Sequence, residues 1–156
     1  IGVPFYKPES IFPISNEEYE YDIDIPDYKE IIIMVGYPGS GKSTFCEQLS
    51  TYYTVAGDIF KTPEKMIKEA KKHHEQSIIF DATNGTVAKR KKYIDYAKSI
   101  NVFVRIIWIT TEIEESMNNI KKRVINGGRH VPNIALYTYR KNFEEPMTTE
   151  CDVYMY

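Results

Sequence analysis

Apolar residues fall in short continuous runs along this chain, separated by stretches in which they recur at helical spacing. Residues 31–35, Ile-Ile-Ile-Met-Val, are wholly apolar and rich in β-branched side chains, the pattern of a strand buried on both faces. Residues 77–81 repeat the pattern and end on Asp81, residues 102–109 repeat it with Arg105 as the odd member, and residues 54–56 form a shorter run before Gly57-Asp58. Helices are predicted between them. One runs from Lys42 to about residue 50. A second opens at Thr62-Pro63-Glu64, with Thr as N-cap, Pro at the first helical position and an acid in the first turn, and reaches about residue 74. A third spans about 86–100, with Val87, Ile94 and Ala97 on one side. A fourth starts near residue 111 and places Ile113, Met117, Ile120 and Val124 at i, i+4, i+7 and i+11, a core-facing stripe that ends at Asn126-Gly127-Gly128, a C-cap or hinge. Pro132 opens a further helix to about residue 143, and residues 152–156 read as a last strand. Residues 21–25 alternate with period two, as either a half-buried edge strand or a solvated linker. Strands alternating with helices predict an α/β domain with a mostly parallel central sheet flanked by helices.

Composition adds limits. At 156 residues, 42% apolar and 27% charged, the chain fits one globular domain with a substantial core. No apolar run is long enough to span a bilayer, so no membrane partner is expected, and prolines interrupt the N-terminus where a signal peptide would need an apolar stretch. The chain opens on Ile1 and not on Met, which reads as part of a longer protein. Cys46 and Cys151 lie far apart with no metal-ligand spacing, as unpaired thiols do in a reducing, intracellular compartment, cytoplasmic or nuclear. Net charge is −2, but residues 1–28 hold one lysine against seven acids, a net of −6, which leaves +4 on residues 29–156. We therefore divide the chain into an acidic, Pro-rich segment, 1–28, and a modestly basic body, 29–156.

The chemistry concentrates at strand ends. Gly36-Tyr37-Pro38-Gly39-Ser40-Gly41-Lys42-Ser43 fits G-x-x-x-x-G-K-[ST] at every position, followed by Thr44, between a predicted strand and a predicted helix. In that context the glycines let backbone N–H groups close on phosphate oxygens, Lys42 brings charge to the β- and γ-phosphates, and Ser43 offers a hydroxyl to Mg²⁺. Asp81 ends an apolar strand, where it can hold Mg²⁺ or its waters, or else simply cap a helix. Asp58 ends the strand after the P-loop helix. A carboxylate there can take the proton of an acceptor hydroxyl, or serve as a turn residue beside Gly57. Lys61 lies three residues on, and Asp81-Ala82-Thr83-Asn84-Gly85 gathers small polar groups. The run Lys89-Arg90-Lys91-Lys92 wraps around a helix and reads mainly as a solvated face. Arg123 and Arg129 flank the Gly127-Gly128 hinge, where a mobile arginine can stabilise charge on a transferring phosphate.

These residues together carry a resemblance. The P-loop through Phe45, Gly57-Asp58, Asp81-Ala-Thr-Asn84 and Tyr139-Arg-Lys-Asn-Phe-Glu-Glu-Pro146 resemble, in order and spacing, the kinase domain of the polynucleotide kinase 3′-phosphatase family; Gly2-Val3-Pro4-Phe5 with Pro8-Glu9 is similar to the segment where that family's phosphatase domain ends. The resemblance covers nearly the whole chain. It implies a P-loop kinase fold with a small lid, and transfer of the ATP γ-phosphate to 5′-hydroxyl ends of DNA or RNA with Mg²⁺. By resemblance Asp58 is the general base, Lys42 and Ser43 serve phosphates and metal, and Arg123 or Arg129 serves the γ-phosphate. Lys61, Asp81, Thr83, Asn84, Arg90, Arg140 and Lys141 are the candidate substrate contacts. The chain departs from the family at Gly57, where an arginine is usual, and in a lid between Asn119 and His130 about a residue longer than in animal members. The phosphatase signature Asp-x-Asp-Gly-Thr is absent, so a phosphatase domain, if present, lies upstream of Ile1. Two other readings fit a P-loop: a kinase of nucleosides or sugars, and a nucleotide-binding module without catalysis.

Overall fold

The computed structural model describes residues 21–156; the prolines and acids of 1–20, and the resemblance at Gly2–Glu9, lie outside the described residues. Five strands form one sheet: β1 (Glu30–Val35), β2 (Tyr53–Ala56), β3 (Ile78–Asp81), β4 (Phe103–Trp108) and β5 (Asp152–Met155). The order is β2-β3-β1-β4-β5 and every pairing is parallel. The helices are α1 (Lys42–Glu47), α2 (Gly57–Phe60), α3 (Pro63–Ala70), α4 (Val87–Ser99), α5 (Ile113–Ile125) and α6 (Asn133–Asn142).

All six residues of β1 are buried because helices cover both faces of the sheet. Ile31, Ile33 and Val35 face a cluster with Met66 and Ala70 of α3 and Tyr93, Ile94 and Ala97 of α4, while Ile32 and Met34 face Phe45, Cys46 and Leu49 on the α1 side. A smaller cluster of Ile113, Ile120 and Leu136 joins α5 to α6 and takes in Tyr37 from the P-loop. Arg105, the odd polar residue of an apolar strand, donates through Nε and Nη2 to Glu30 Oε1 at 3.2 and 2.8 Å, and the Tyr52 hydroxyl donates to the same oxygen at 2.6 Å. Two strand charges are thus buried as a hydrogen-bonded pair.

The structure alters several expectations. Residues 21–24 keep the predicted alternation, Tyr21 and Ile23 half-buried and Asp22 and Asp24 exposed, but Ile25 breaks it by standing in solvent and the segment pairs with no strand among the described residues; Tyr21 packs on Phe45 and Tyr156. The P-loop helix stops at Glu47. The helix expected over 62–74 is α-helical only to Ala70 and ends in a 3₁₀ turn over Lys71–His73. The one-turn α2 lies where the sequence signals only a strand end. On α4, Val87 is exposed while Arg90 takes the buried place on that side, and on α5 the stripe fades into solvent at Val124. The thiols of Cys46 and Cys151 are both unpaired, and burial pushes the Cys151 thiol up to about 12.

Candidate active site

The carboxyl ends of β1, β2 and β3 open into a cleft of about 420 Å³, walled on the far side by the end of α5 and the chain leading into α6. This is where ligands bind in open parallel sheets. The P-loop forms its floor. Gly39 and Gly41 have φ of +79° and +100°, a backbone region costly for residues with a Cβ, and a Cβ on Gly39 would lie 2.6 Å from the Ser116 carbonyl. That close approach lets α5 and the residues leading into it brace the loop: Asn119 Nδ2 donates to Gly39 O at 2.9 Å, and Thr111 Oγ1, just before α5, donates to Ser40 O at 2.7 Å.

Lys42 is buried and folded over its own loop, with Nζ donating to Gly36 O at 3.0 Å and Tyr37 O at 2.6 Å. Burial lowers its pKa to about 8, with the Asp81 carboxylate pulling the other way. Ser43 Oγ donates to Asp81 Oδ2 at 3.3 Å, and burial raises the Asp81 carboxyl above the usual range against the pull of Lys42. Pro38, Gly39, Gly41, Lys42 and Ser43 line the cleft. Gly36, Tyr37, Ser40 and Thr44 do not: Gly36 N donates to Thr83 O at 3.3 Å, Tyr37 packs its ring 4.6 Å from that of Tyr139, Ser40 is buried beneath the loop, and Thr44 is exposed.

A hydroxyl and a carboxylate 3.3 Å apart at the foot of a phosphate loop are hard oxygen donors suited to Mg²⁺. Among the described residues no cluster of three or more His, Cys, Asp or Glu could hold a metal. An ion at Ser43 and Asp81 would therefore complete its shell with phosphate oxygens and water, the usual arrangement for Mg²⁺.

Asp58 stands on α2, exposed, with its Oδ1 2.7 Å from Arg129 Nη1. Arg123, in the last turn of α5, and Arg129 both line the cleft, so the two lid arginines face one space. Lys61 also lines it, at a left-handed φ of +71°. A Cβ on Gly57 would meet Ala82 Cβ at 2.8 Å, so β2 and β3 run too close at their ends for a side chain there, a local reason for the departure from the family's arginine.

The remaining expected contacts divide. Thr83 lines the cleft. Asn84 borders it, but its side chain is committed inward: it is buried with φ of +44°, and its Nδ2 donates to Met34 O at 2.9 Å. Arg90, expected among the substrate cations, is wholly buried. Its Nε and Nη2 grip the Glu150 carboxylate at 2.9 and 3.2 Å, Nη1 donates to Asn84 O at 3.0 Å, and Nη2 donates to Glu144 O at 2.8 Å, which leaves no face for a ligand. Arg140 and Lys141 are exposed on α6, outside the cleft lining, with the Arg140 guanidinium 5.2 Å over the Tyr137 ring. The cation that sequence reasoning passed over is Lys89, which lines the cleft and, like Lys61, has no side-chain hydrogen bond or ion pair among the described residues. Helix phase separates them: neighbours on a helix point about 100° apart, so a buried Arg90 leaves Lys89 facing out.

Comparison with known proteins agrees with the geometry. A bifunctional polynucleotide phosphatase/kinase of Schizosaccharomyces pombe is 31% identical over 93% of this chain and 37% of its own length. A putative bifunctional polynucleotide phosphatase/kinase of Acanthamoeba polyphaga mimivirus is 35% identical over 80% of this chain and 32% of its own. The chain thus spans about a third of the length of these curated relatives, and the resemblance carried by its motifs is borne out. Among solved structures, a gluconokinase from Sinorhizobium meliloti superposes with a TM-score of 0.62 at 15% identity, covering 82% of each chain, a likeness of P-loop kinase fold alone. A family profile described as an AAA domain matches residues 50–146, more than half of the sequence, and the chain belongs to that family.

Proposed function

We propose that this chain transfers the γ-phosphate of ATP to the 5′-hydroxyl end of a DNA or RNA strand. The observation that supports it best is one cleft lined by the P-loop residues Gly39, Gly41, Lys42 and Ser43, by the Asp58 carboxylate and by two lysines, Lys61 and Lys89, that have no side-chain partner among the described residues. Lys42, Arg123 and Arg129 suffice to meet a triphosphate. The two lysines that share the cleft with Asp58 are then free for the phosphodiesters that follow an acceptor hydroxyl, which a nucleoside or sugar acceptor lacks. The relatives named polynucleotide phosphatase/kinases favour the same reading.

In this mechanism the acceptor oxygen attacks the γ-phosphorus, the bond from that phosphorus to the β-bridging oxygen breaks, ADP leaves, and the hydroxyl proton passes to Asp58. Lys42 leaves the carbonyls of Gly36 and Tyr37 for phosphate oxygens, and backbone N–H groups of the P-loop hold the same anion. Arg129 exchanges Asp58 for the γ-phosphate, so the base is uncovered as the nucleotide is engaged. Ser43 and Asp81 would hold Mg²⁺, which when bound would supply charge neutralisation on the phosphates. Residues 29–156 act as the kinase domain.

Incubation with γ-labelled ATP and either a 5′-hydroxyl oligonucleotide or mononucleosides tests this reading. Label on the oligonucleotide is expected. Label on mononucleosides alone would assign a small-molecule kinase, and no label on either would leave a nucleotide-binding module.

A further inference from the structure

We propose that Arg90 is a positioning residue that, through Asn84, fixes the Asp81 carboxylate against Ser43 at the spacing a divalent cation needs. It rests on the reading of Ser43 and Asp81 as cation donors given above. Arg90 has no exposed surface, and its guanidinium is spent on three partners from separate parts of the chain: the Glu150 carboxylate, the Glu144 carbonyl and the Asn84 carbonyl. Each partner is itself tied down. Glu150 Oε2 also accepts from Met147 N at 2.9 Å, Glu144 Oε1 accepts from Val87 N at the start of α4, and Glu144 N donates to Gly85 O at 2.8 Å. The C-terminal segment and α4 therefore form one rigid frame around the guanidinium.

What that frame holds is the loop after β3. Asn84 adopts a left-handed φ of +44°, which asparagine tolerates better than most residues, and it is held from two sides, with Arg90 on its carbonyl and its own amide on Met34 O near the end of β1. One residue earlier, Thr83 O accepts from Gly36 N, the first residue of the P-loop. The loop is thus pinned at both ends of the cation pair: Asp81 begins it, and its later residues are laced to the strand and loop that carry Ser43. Lysine in place of Arg90 keeps the charge but loses the planar fork that reaches Glu150, Glu144 and Asn84 at once.

The test measures how much Mg²⁺ strengthens ATP binding, with no acceptor hydroxyl present. The affinity of a fluorescent ATP analogue is compared in EDTA and in saturating Mg²⁺; the ratio reports the cation site, and the EDTA value reports the rest of the P-loop. Removing a group that touches a metal ligand typically costs 10–100-fold in metal affinity; Arg90 acts one step further out, through the backbone of residues 81–84, so Arg90→Lys should reduce the Mg²⁺-dependent gain about fivefold, with the EDTA affinity within about twofold of wild type. Glu150→Gln keeps the shape and the arginine, should fold where Arg90→Lys does not, and should reduce the gain about threefold by the same logic. Asp81→Asn should remove the gain. A gain unchanged in both Arg90→Lys and Glu150→Gln, whatever happens to their melting temperatures, overturns the proposal and leaves Arg90 a purely structural residue. A wild-type protein with no Mg²⁺-dependent gain overturns the cation reading itself and this proposal with it.

Discussion

Lys42 is the residue whose protonation decides how the cleft meets an anion. Burial brings its pKa down to about 8, because the protonated form loses more in hydration than the backbone carbonyls and the nearby Asp81 carboxylate return. Phosphate favours the protonated form, so bound nucleotide raises the pKa again. Below pH 8 the lysine already carries its proton and binding is at full strength. Above it, binding must take up a proton and weakens. ATP affinity should therefore fall about tenfold between pH 7.5 and 9, a window above the last phosphate ionisation near pH 6. Lys42→Met should bind weakly at every pH and lose this dependence; titration calorimetry at the two pH values reads both. Asp58 bears on rate and not on nucleotide affinity. Asp58→Asn should lower kcat by about 10²–10⁴-fold, the usual contribution of a general base, with ATP affinity nearly unchanged. Loss of ATP binding instead would place Asp58 among the nucleotide contacts. The two residues differed in how legible they were. Lys42 sits in a motif whose spacing dictates its place. Arg90 looked like one cation in a charged run, yet it lies four and seven residues before Ile94 and Ala97, which puts it in phase with the buried side of α4. The phase was readable; that a guanidinium could be satisfied there was not, because its partners lie 54 and 60 residues away.

At the scale of elements, β1, β3, β4 and α5 were legible because each is a local pattern of sufficient length: an apolar run for a strand covered on both faces, a stripe for a helix. The one-turn α2 was not, since four residues carry no period, and its position owes more to the tight passage of Gly57 past Ala82 than to propensity. Residues 21–25 show the limit of alternation: it placed Tyr21 and Ile23 inward but not Ile25, which is exposed, and it cannot say whether a neighbouring strand is available to pair. Arg105 illustrates a third case. A charge within an apolar strand signals a buried partner, and the partner is Glu30 on the adjacent strand, at Arg105's own pairing level offset by two residues. Removing one member leaves the other buried without its counter-charge, so Arg105→Ala should destabilise the fold by about 3–5 kcal/mol. Replacing both, as Glu30→Leu with Arg105→Met, should cost far less, because the uncompensated charge goes with the pair. Urea midpoints of the two variants and the wild type decide. Similar losses for the single and the double variant would mean that Arg105 matters through Asp24, whose carbonyl it also holds at 3.0 Å, and not through Glu30.

For the whole molecule the argument turns on where charge sits relative to the cleft. Net charge alone disfavours a polyanion, whereas the division between an acidic first 28 residues and a body of +4 favours one that meets the body. Of the cations first considered for the strand, Arg90 is buried, Arg140 and Lys141 stand outside the cleft lining, and Lys61 remains; Lys89, which the cleft adds, joins it. Each phosphate contact on a single strand contributes about −0.7 to the log–log dependence of affinity on salt, so two contacts predict a slope near −1.4 for the oligonucleotide. The ATP KM, followed in parallel over the same salt range, separates screening of the acceptor from screening of the nucleotide. Lys61→Ala and Lys89→Ala should each take about 0.7 from the slope, and the double variant should flatten it. A wild-type oligonucleotide KM that ignores salt would count against a phosphate track and towards a small acceptor. A steep slope that survives the double variant would move the track to other cations, with Lys65 and Lys68 on the exposed side of α3 next in line. Deletion of residues 1–20, one lysine against four acids, should strengthen oligonucleotide binding or leave it unchanged, since the deleted charge is repulsive and Tyr21 and Asp24, which pack on the fold, are kept; weaker binding would mean that this segment helps to hold the strand.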